Sequence, residues 1–532
     1  MKKYIVILAA AMWIFSSCAD KLDLAPENQI TQEQIMAILA SGDDAKIDQI
    51  IGGLAGSLPT WIHRTFGGAD SRANSCLNFH YVNNLQGFDI VPGTDGTEWG
   101  YQAYGFCGKD GRSPINLLNT NYWEFGWKCV AEANRMLDLL PDDVVGENKK
   151  LKGYKASALT LRAYGYNFLM ENYRGAYSAG GEGLMIYDKV GGDYKPYSTA
   201  GETYDFIKQD LATAVRLFAE SEIGENKDGY TATTQDIDLA VANFVRARAS
   251  LLTGDNATAI TACDAILAKY PSFIADSCYG GNNTGTASAP EFLAAANAFL
   301  SFEKNPEVIF GFPQINDARN TTGTWLNVFG PGLGGASGDY ARIVNVLYDK
   351  IAATDVRKSA FLDGNTSFAD YTYTLSSGTS VRTVPPYSNL KYAATHGLDG
   401  AQAAASLAVF DVCYMRASEA LLMKAEAQAK TDENAAKATL NTLLAARTKS
   451  GQTALTCDTY GGATTVLDMV KLQWRIEMWG ENGLEYYNNK RWGVAADRSV
   501  SGTNHRNNLN ITVDKMTMDI PANEPLYNPN LQ

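Results

Sequence analysis

Between residues 122 and 270 the chain repeats a helix, a short polar turn and an alanine-rich helix, and such a sequence can bury its apolar stripes only by stacking one helical pair on the next. Apolar residues recur at three- and four-residue spacing from Tyr122 until Pro141 stops the run. A second helix is predicted over 151–173, with Ala156, Leu159, Ala163, Tyr166 and Leu169 or Met170 on one stripe, and others over 204–219, 238–252 and 257–270. Two internal echoes set their order. Residues 134–169 and 214–252 both run helix, loop, alanine-rich helix, with Gly146-Glu147-Asn148-Lys149 in the first loop and Gly224-Glu225-Asn226-Lys227 in the second. Residues 247–267 echo 425–444, each with a tight polar turn between two helices. Alanine at facing positions lets such helices approach closely. The expected fold is therefore mostly α, a tetratricopeptide-like array of helical hairpins, with loop-rich insertions and a few short strands.

The scaffold is expected over 29–58, 122–270 and 409–493, with later helices at 415–449 and 466–477. Two stretches interrupt it. Residues 59–121 are rich in Gly, Asn and aromatics, as in Phe66-Gly67-Gly68-Ala69-Asp70 and the run from Gly93 to Gly100, which is loop chemistry. Residues 271–408 carry the Gly-rich stretches near 280 and 330–338, Tyr371-Thr372-Tyr373 and Pro385-Pro386, with one short strand predicted over 307–312.

The first residues answer a different question. Lys2 and Lys3 precede an unbroken apolar run over 4–15, the layout of a secretion signal and too short for the ~20 residues of a membrane span. Ser16-Ser17-Cys18 after it resembles the lipobox of bacterial lipoproteins, with Phe15 where Leu is usual. Residues 1–17 are thus expected to be a lipoprotein signal peptide, Cys18 the lipidated residue, 18–28 a polar tether containing Pro26, and 29–532 the exported domain. Seven further cysteines, Cys76, Cys107, Cys129, Cys263, Cys278, Cys413 and Cys457, are an odd and scattered set. Cys263 and Cys278 are the nearest pair, and spacing leaves their bridging open.

The net charge of −13 excludes a polyanion-binding surface, so nucleic acid is not an expected partner. Charged residues make up 19% of the chain, below the roughly 25% of ordinary soluble proteins, while it holds 9 Trp, 28 Tyr and 20 Phe. There is no CxxC, HExxH or GxSxG pattern, and His63, His80, His396 and His505 are not spaced as metal ligands. No cofactor is expected, and nothing in the sequence supports a structural Ca²⁺.

The C-terminal third carries specific motifs. Arg475, Glu477, Trp479, Gly480 and Glu481 lead to Tyr486-Tyr487 and Lys490-Arg491-Trp492, and the chain closes on Asp519-Ile520-Pro521-Ala522-Asn523-Glu524 and Asn528-Pro529-Asn530-Leu531. Together with Leu161-Arg162-Ala163-Tyr164 and Arg416-Ala417-Ser418-Glu419, this order resembles the SusD/RagB family from the lipobox to the last residues. Two departures are Asn482 where Gly is common and Asn488 where Asp is frequent. The resemblance implies a lipid-anchored surface protein of the outer membrane, built on four helical-hairpin repeats. It implies a non-catalytic protein that captures oligosaccharides, or in some members peptides, and delivers them to a SusC-like TonB-dependent transporter.

Sugars offer flat C–H faces and hydroxyls, so their sites stack them on aromatic rings and add a few placed polar groups. Trp99 leads the candidates because it follows a Gly-rich loop, with Tyr101 and Tyr104 close by. Trp61, His63, Arg64, Phe79, His80, Tyr81, Asn83, Asn84 and Asp89 supply the right residue types in the same region, and Trp325, Phe329, Tyr371, Tyr373 and Tyr387 do so in the second loop region. A glycosidase is the enzymatic alternative, since two carboxylates about 5–10 Å apart suffice for glycoside hydrolysis. Asp95 and Glu98 are the one loop pair near the aromatic cluster, and a solvated turn is the reading preferred for them over a catalytic pair.

Overall fold

The computed structural model describes residues 31–63, 76–92, 112–115, 117–223, 234–281, 297–313, 341–366, 368–375, 378–392 and 411–531. The helices of nine or more residues are α1 Gln32–Ser41, α2 Cys76–Leu85, α3 Leu117–Leu139, α4 Lys149–Tyr173, α5 Ala200–Ala219, α6 Leu239–Thr253, α7 Asn256–Lys269, α8 Ala417–Ala429, α9 Glu433–Ala446, α10 Val466–Glu477 and α11 Leu484–Trp492. The strands are short: β1 Ile90–Val91, β2 Val308–Phe312, β3 Arg342–Ile343, β4 Phe368–Leu375, β5 Gly378–Val384, β6 Val412–Arg416, β7 Ala496–Asp497 and β8 Asn510–Ile511. The architecture is the expected one, mostly α with a helical-hairpin scaffold and few strands.

The helices stack in chain order: α3 on α4, α4 on α5, α5 on α6, α6 on α7, α7 on α8, and α8 on both α9 and α10. Local chemistry starts and stops each one. Asn148 caps α4 by accepting from the backbone of Lys150 and Leu151, and Thr199 and Glu202 form a capping box on α5. Gly254, in the left-handed conformation at φ 79°, ends α6, and Asp255 caps α7 directly after it, so the hairpin turns in two residues. Close approach is built from small residues. A Cβ on Gly165 would lie 2.8 Å from the Gly126 carbonyl oxygen, and one on Gly126 would lie 2.4 Å from Leu169 Cγ, so α3 and α4 cross nearly backbone to backbone. Ala247 and Ala249 of α6 and Ala259 and Ala262 of α7 are all buried.

Three expectations are corrected, and one question left open by spacing is answered. Residues 76–85 are not loop but helix: Phe79, Val82 and Leu85 fall at helical spacing, and the Phe79 ring sits 4.2 Å from Tyr122 and 5.5 Å from Phe125 on α3. Asn83 and Asn84, which lent this stretch a loop-like composition, make internal hydrogen bonds instead. Tyr371-Thr372-Tyr373 belongs to β4, paired antiparallel with β5 from Phe368↔Val384 to Leu375↔Gly378, because alternating aromatic and Thr residues suit a pleated strand. Met415 and Arg416 end strand β6 before α8 begins. Cys263 and Cys278 are unbridged, the first buried on α7 and the second half-buried on a 3₁₀ turn. Among the described residues no helix is long and apolar enough to cross a membrane.

Candidate functional site

The backbone brings the ends of the loop-rich insertions to one junction. Strand β1 pairs antiparallel with β3, Ile90 opposite Ile343 and Val91 opposite Arg342, although some 250 residues separate them. Arg342 is also bridged to Ser388, and Phe361 to Asn389. The Ile343 amide donates to the Tyr387 carbonyl (3.1 Å), Val344 to Asp89 (2.9 Å) and Leu362 to Ser388 (2.9 Å). Three segments leave this junction: the one after Pro92, the one before Ala341, and the β4–β5 hairpin between Phe361 and Ser388. In sequence they carry Trp99, Tyr101 and Tyr104, then Trp325 and Phe329, then Tyr371 and Tyr373.

The C-terminal motif grips the base of the first segment. Arg475 forms a forked pair with Asp89, Nε lying 2.9 and 3.0 Å from its two oxygens, and the Trp479 indole donates to the Asp89 carbonyl (3.0 Å). Glu485 accepts from the amides of Phe88 (2.5 Å) and Asp89 (3.0 Å), and Arg498 donates to the carbonyls of Leu85 (2.6 Å) and Gly87 (2.8 Å). His505 Nε2 donates to the Phe88 carbonyl (2.8 Å). A Cβ at Gly87 would lie 1.9 Å from a Glu485 oxygen, so only glycine admits this carboxylate. Burial first, and then the neighbouring Asp89 charge, push the Glu485 carboxyl up to about 7.

The second insertion is tied down by a buried ionic network. Arg416 donates to Glu307 (2.7 Å), Glu477 (2.8 Å) and Glu481 (2.7 Å), and Arg447 to Glu307 (2.6 Å) and Glu477 (2.8 Å). Arg357 joins Asp355 (2.6 Å) to Glu477 (3.2 Å) and Gln473 (2.6 Å), while Lys391 reaches Glu481 (2.6 Å) and the carbonyls of Glu477 and Trp479. Arg357, Arg416, Arg447 and Lys391 thus balance Asp355, Glu307, Glu477 and Glu481, which is what allows eight ionised groups to stay buried together. Burial works against the Glu477 carboxylate, yet Arg447 and Arg416 hold it well below the usual range. For Lys391 burial outweighs the Glu481 charge and lowers the amine to about 8. These charges are satisfied by one another, so the network fixes architecture.

Most of the sequence candidates in α2 and beside it prove to be interior. Phe79, His80, Tyr81, Asn83, Asn84, Asp89 and His63 are all buried, and a buried ring offers no face to a sugar. His63 stacks on Phe312 at 4.6 Å and shares a 2.7 Å hydrogen bond with the Tyr414 hydroxyl. Asn83 donates to Tyr487 (2.8 Å) and accepts from Tyr122 (3.2 Å), and Asn84 donates to the Gly480 carbonyl (2.9 Å). His80 lies 3.4 Å from Cys76, but burial lowers the imidazole to about 3 and raises the thiol to about 12, so both are neutral. That pair is no thiolate–imidazolium nucleophile. Trp61 is half-buried against the core.

Tyr387, another sequence candidate, sits in the junction beside Asp89. Its φ of 66° is unusual for a ring-bearing residue, and its half-buried ring meets Tyr348 edge-on at 5.4 Å. Tyr371 is placed by its backbone in β4. Cys18, Arg64, Asp95, Glu98, Trp99, Tyr101, Tyr104, Trp325 and Phe329 lie outside the described residues. Among the described residues no cluster of His, Cys, Asp and Glu could hold a metal ion. Arg475 and Glu485, which anchor the junction, are visible in the sequence only as members of the C-terminal motif, and Arg498, a few residues beyond it, carries no signal there.

A mostly helical scaffold of stacked hairpins with few short strands is the SusD-like class of architecture. The SusD family model matches residues 338–530, and a second model described as "Starch-binding associating with outer membrane" matches residues 93–236. The chain belongs to the SusD-like family. Among solved structures it is similar to a SusD-like carbohydrate binding protein from Bacteroides vulgatus, at 20% identity and a TM-score of 0.65, covering 92% of this chain and 97% of that one. It is also similar to surface glycan-binding protein A from Bacteroides thetaiotaomicron, solved with laminarihexaose, at 16% identity and a TM-score of 0.60, covering 91% and 99%. The corresponding protein from Bacteroides fluxus matches at 18% identity and a TM-score of 0.60, covering 93% and 96%. No curated protein matches the chain.

Proposed function

We propose that this protein is a non-catalytic, surface-exposed lipoprotein that captures oligosaccharides and passes them to a SusC-like TonB-dependent transporter in the outer membrane. The observation that carries the reading is the junction, where the described ends of three aromatic-bearing segments meet. Trp99, Tyr101, Tyr104, Trp325 and Tyr371 then supply the stacking surface, and Cys18 carries the lipid that keeps it at the membrane. Family membership and the glycan-binding names of similar structures support the ligand class.

Calorimetry of the purified chain against a panel of neutral oligosaccharides and short peptides tests the reading. The expected result is oligosaccharide binding without new reducing ends, weakened about tenfold or more by Trp99→Ala with the thermal midpoint nearly unchanged. Binding of peptides alone, or turnover abolished by Asp95→Asn or Glu98→Gln, would overturn it. Co-purification from detergent-solubilised outer membrane tests the partner, and recovery with no large TonB-dependent barrel would count against delivery.

A further inference from the structure

Among the described residues, Tyr387 and Asn482 alone have a left-handed φ without being glycine. Asparagine enters that region readily, but a bulky ring-bearing residue is an outlier there, and such strain persists only where the surroundings hold it. At Tyr387 the holding groups can be named. The residue lies in the turn over 385–388, at a place where left-handed glycine or asparagine is usual. Pro385 and Pro386 stiffen the approach, and Ser388 Oγ donates back to the Pro385 carbonyl (2.6 Å). The Tyr387 carbonyl accepts from Ile343 (3.1 Å), and its amide donates to the Asp363 carbonyl (3.4 Å).

The ring has a seat of its own. It meets Tyr348 edge-on at 5.4 Å, and Tyr348 is held in turn by the Lys358 ammonium 4.4 Å over its ring. A Cβ at Gly364 would collide with the Tyr387 hydroxyl, so glycine there leaves the room that the phenol needs. Yet the ring is not core. Phe79 and Tyr81 are buried, whereas Tyr387 is half-buried and keeps part of its surface open at the junction from which the aromatic segments leave. Burial first, and then the charges of Asp349 and Asp363, raise its phenol above the usual value, so the hydroxyl keeps its proton.

We infer that Tyr387 is a preset stacking platform of the ligand site, taking the C–H face of one sugar ring, and that the strained turn is kept in order to hold it. A ring fixed before the ligand arrives loses little freedom on binding, which favours affinity. The inference rests on the oligosaccharide reading above for its ligand class and adds to it a contact outside the insertions. It also carries a signature of its own. A residue held for binding against the preference of its backbone gives up the contact when replaced by glycine, and relieves the strain in the same step.

The test titrates the full chain in detergent with maltohexaose, cellohexaose and laminarihexaose, and records the thermal midpoint of each variant. Tyr387→Gly is expected to weaken binding of the preferred oligosaccharide about tenfold or more with the midpoint unchanged or raised, and Tyr387→Phe, which keeps the ring, to bind within about threefold of the wild type. Tyr387→Asn also enters the left-handed region and decides the matter if Tyr387→Gly lowers the midpoint. Wild-type affinity in Tyr387→Gly, or a loss in Tyr387→Phe as deep as in Tyr387→Gly, would overturn the platform. So would a lowered midpoint in both Tyr387→Gly and Tyr387→Asn, because the ring would then be a prop for Tyr348. In each of these cases the proposed function stands as long as Trp99→Ala still weakens binding. If the wild type binds no oligosaccharide, both readings fall together.

Discussion

Single residues show where the family pattern is enforced by geometry. Asn482 stands where Gly is common in the family, and it has φ 50°. Asparagine is among the few side chains that enter this region readily, and here its amide also donates to the Tyr414 carbonyl (2.8 Å). Asn482→Gly is therefore expected to be nearly neutral, and Asn482→Val to cost about 1–3 kcal/mol by urea denaturation. Asn488, the other departure, accepts from Arg491 (2.6 Å), whose ionic partner is Glu426. Glu485 gives a pH signature. Its carboxyl is raised from 4.5 to about 7, so the folded protein holds the proton more tightly than the unfolded chain. That contribution to stability is complete below about pH 4.5 and is lost as pH rises through 7. The thermal midpoint of the wild type minus that of Glu485→Gln is expected to fall across this window; a flat difference would remove Glu485 as its source.

At the level of elements, close approach governs. Gly165→Ala would raise the stability of an exposed helix by up to about 1 kcal/mol, but on α4 it forces a methyl against the Gly126 carbonyl. A net loss of about 1–3 kcal/mol is expected in chemical denaturation, reported by the urea midpoint. The same physics explains what could be read from residues alone. Helical periodicity, caps and small residues act within one or two turns, so α4, α6, α7 and α10 were legible to within a few residues of their ends. Helix α2 was not, because Asn83 and Asn84 owe their place to partners on α11 and in the Gly480 turn, hundreds of residues away. The candidate site divides in the same way. Residue types for sugar stacking are visible in the chain, but whether Tyr81 or Tyr387 keeps a face free depends on packing that no local pattern encodes.

For the molecule as a whole, the clamp on β1 links the C-terminal motif to the insertions. Arg475→Met would leave the buried Asp89 carboxylate without its ionic partner, a loss of about 3 kcal/mol. It is also expected to weaken oligosaccharide binding several-fold, although Arg475 belongs to the scaffold motif. Gly165→Ala, equally destabilising but distant from the junction, is expected to leave affinity unchanged. Equal effects of both variants on binding would show that affinity follows global stability and not the clamp.

The pairing of Ile90 with Ile343, secured by Arg475, Glu485, Arg498 and His505, also orders events in time. A chain emerging N-terminus first exposes its hairpin helices long before it delivers the residues that hold β1. Loop-closure entropy for contacts this distant must be met before they stabilise anything, so the helical array forms early and the junction late. Pulsed hydrogen exchange during refolding is expected to protect amides of α4 and α6 ahead of those at 88–91. A newly made molecule would accordingly pass through a folded but ligand-incompetent interval, ending only when its last fifty or so residues have docked.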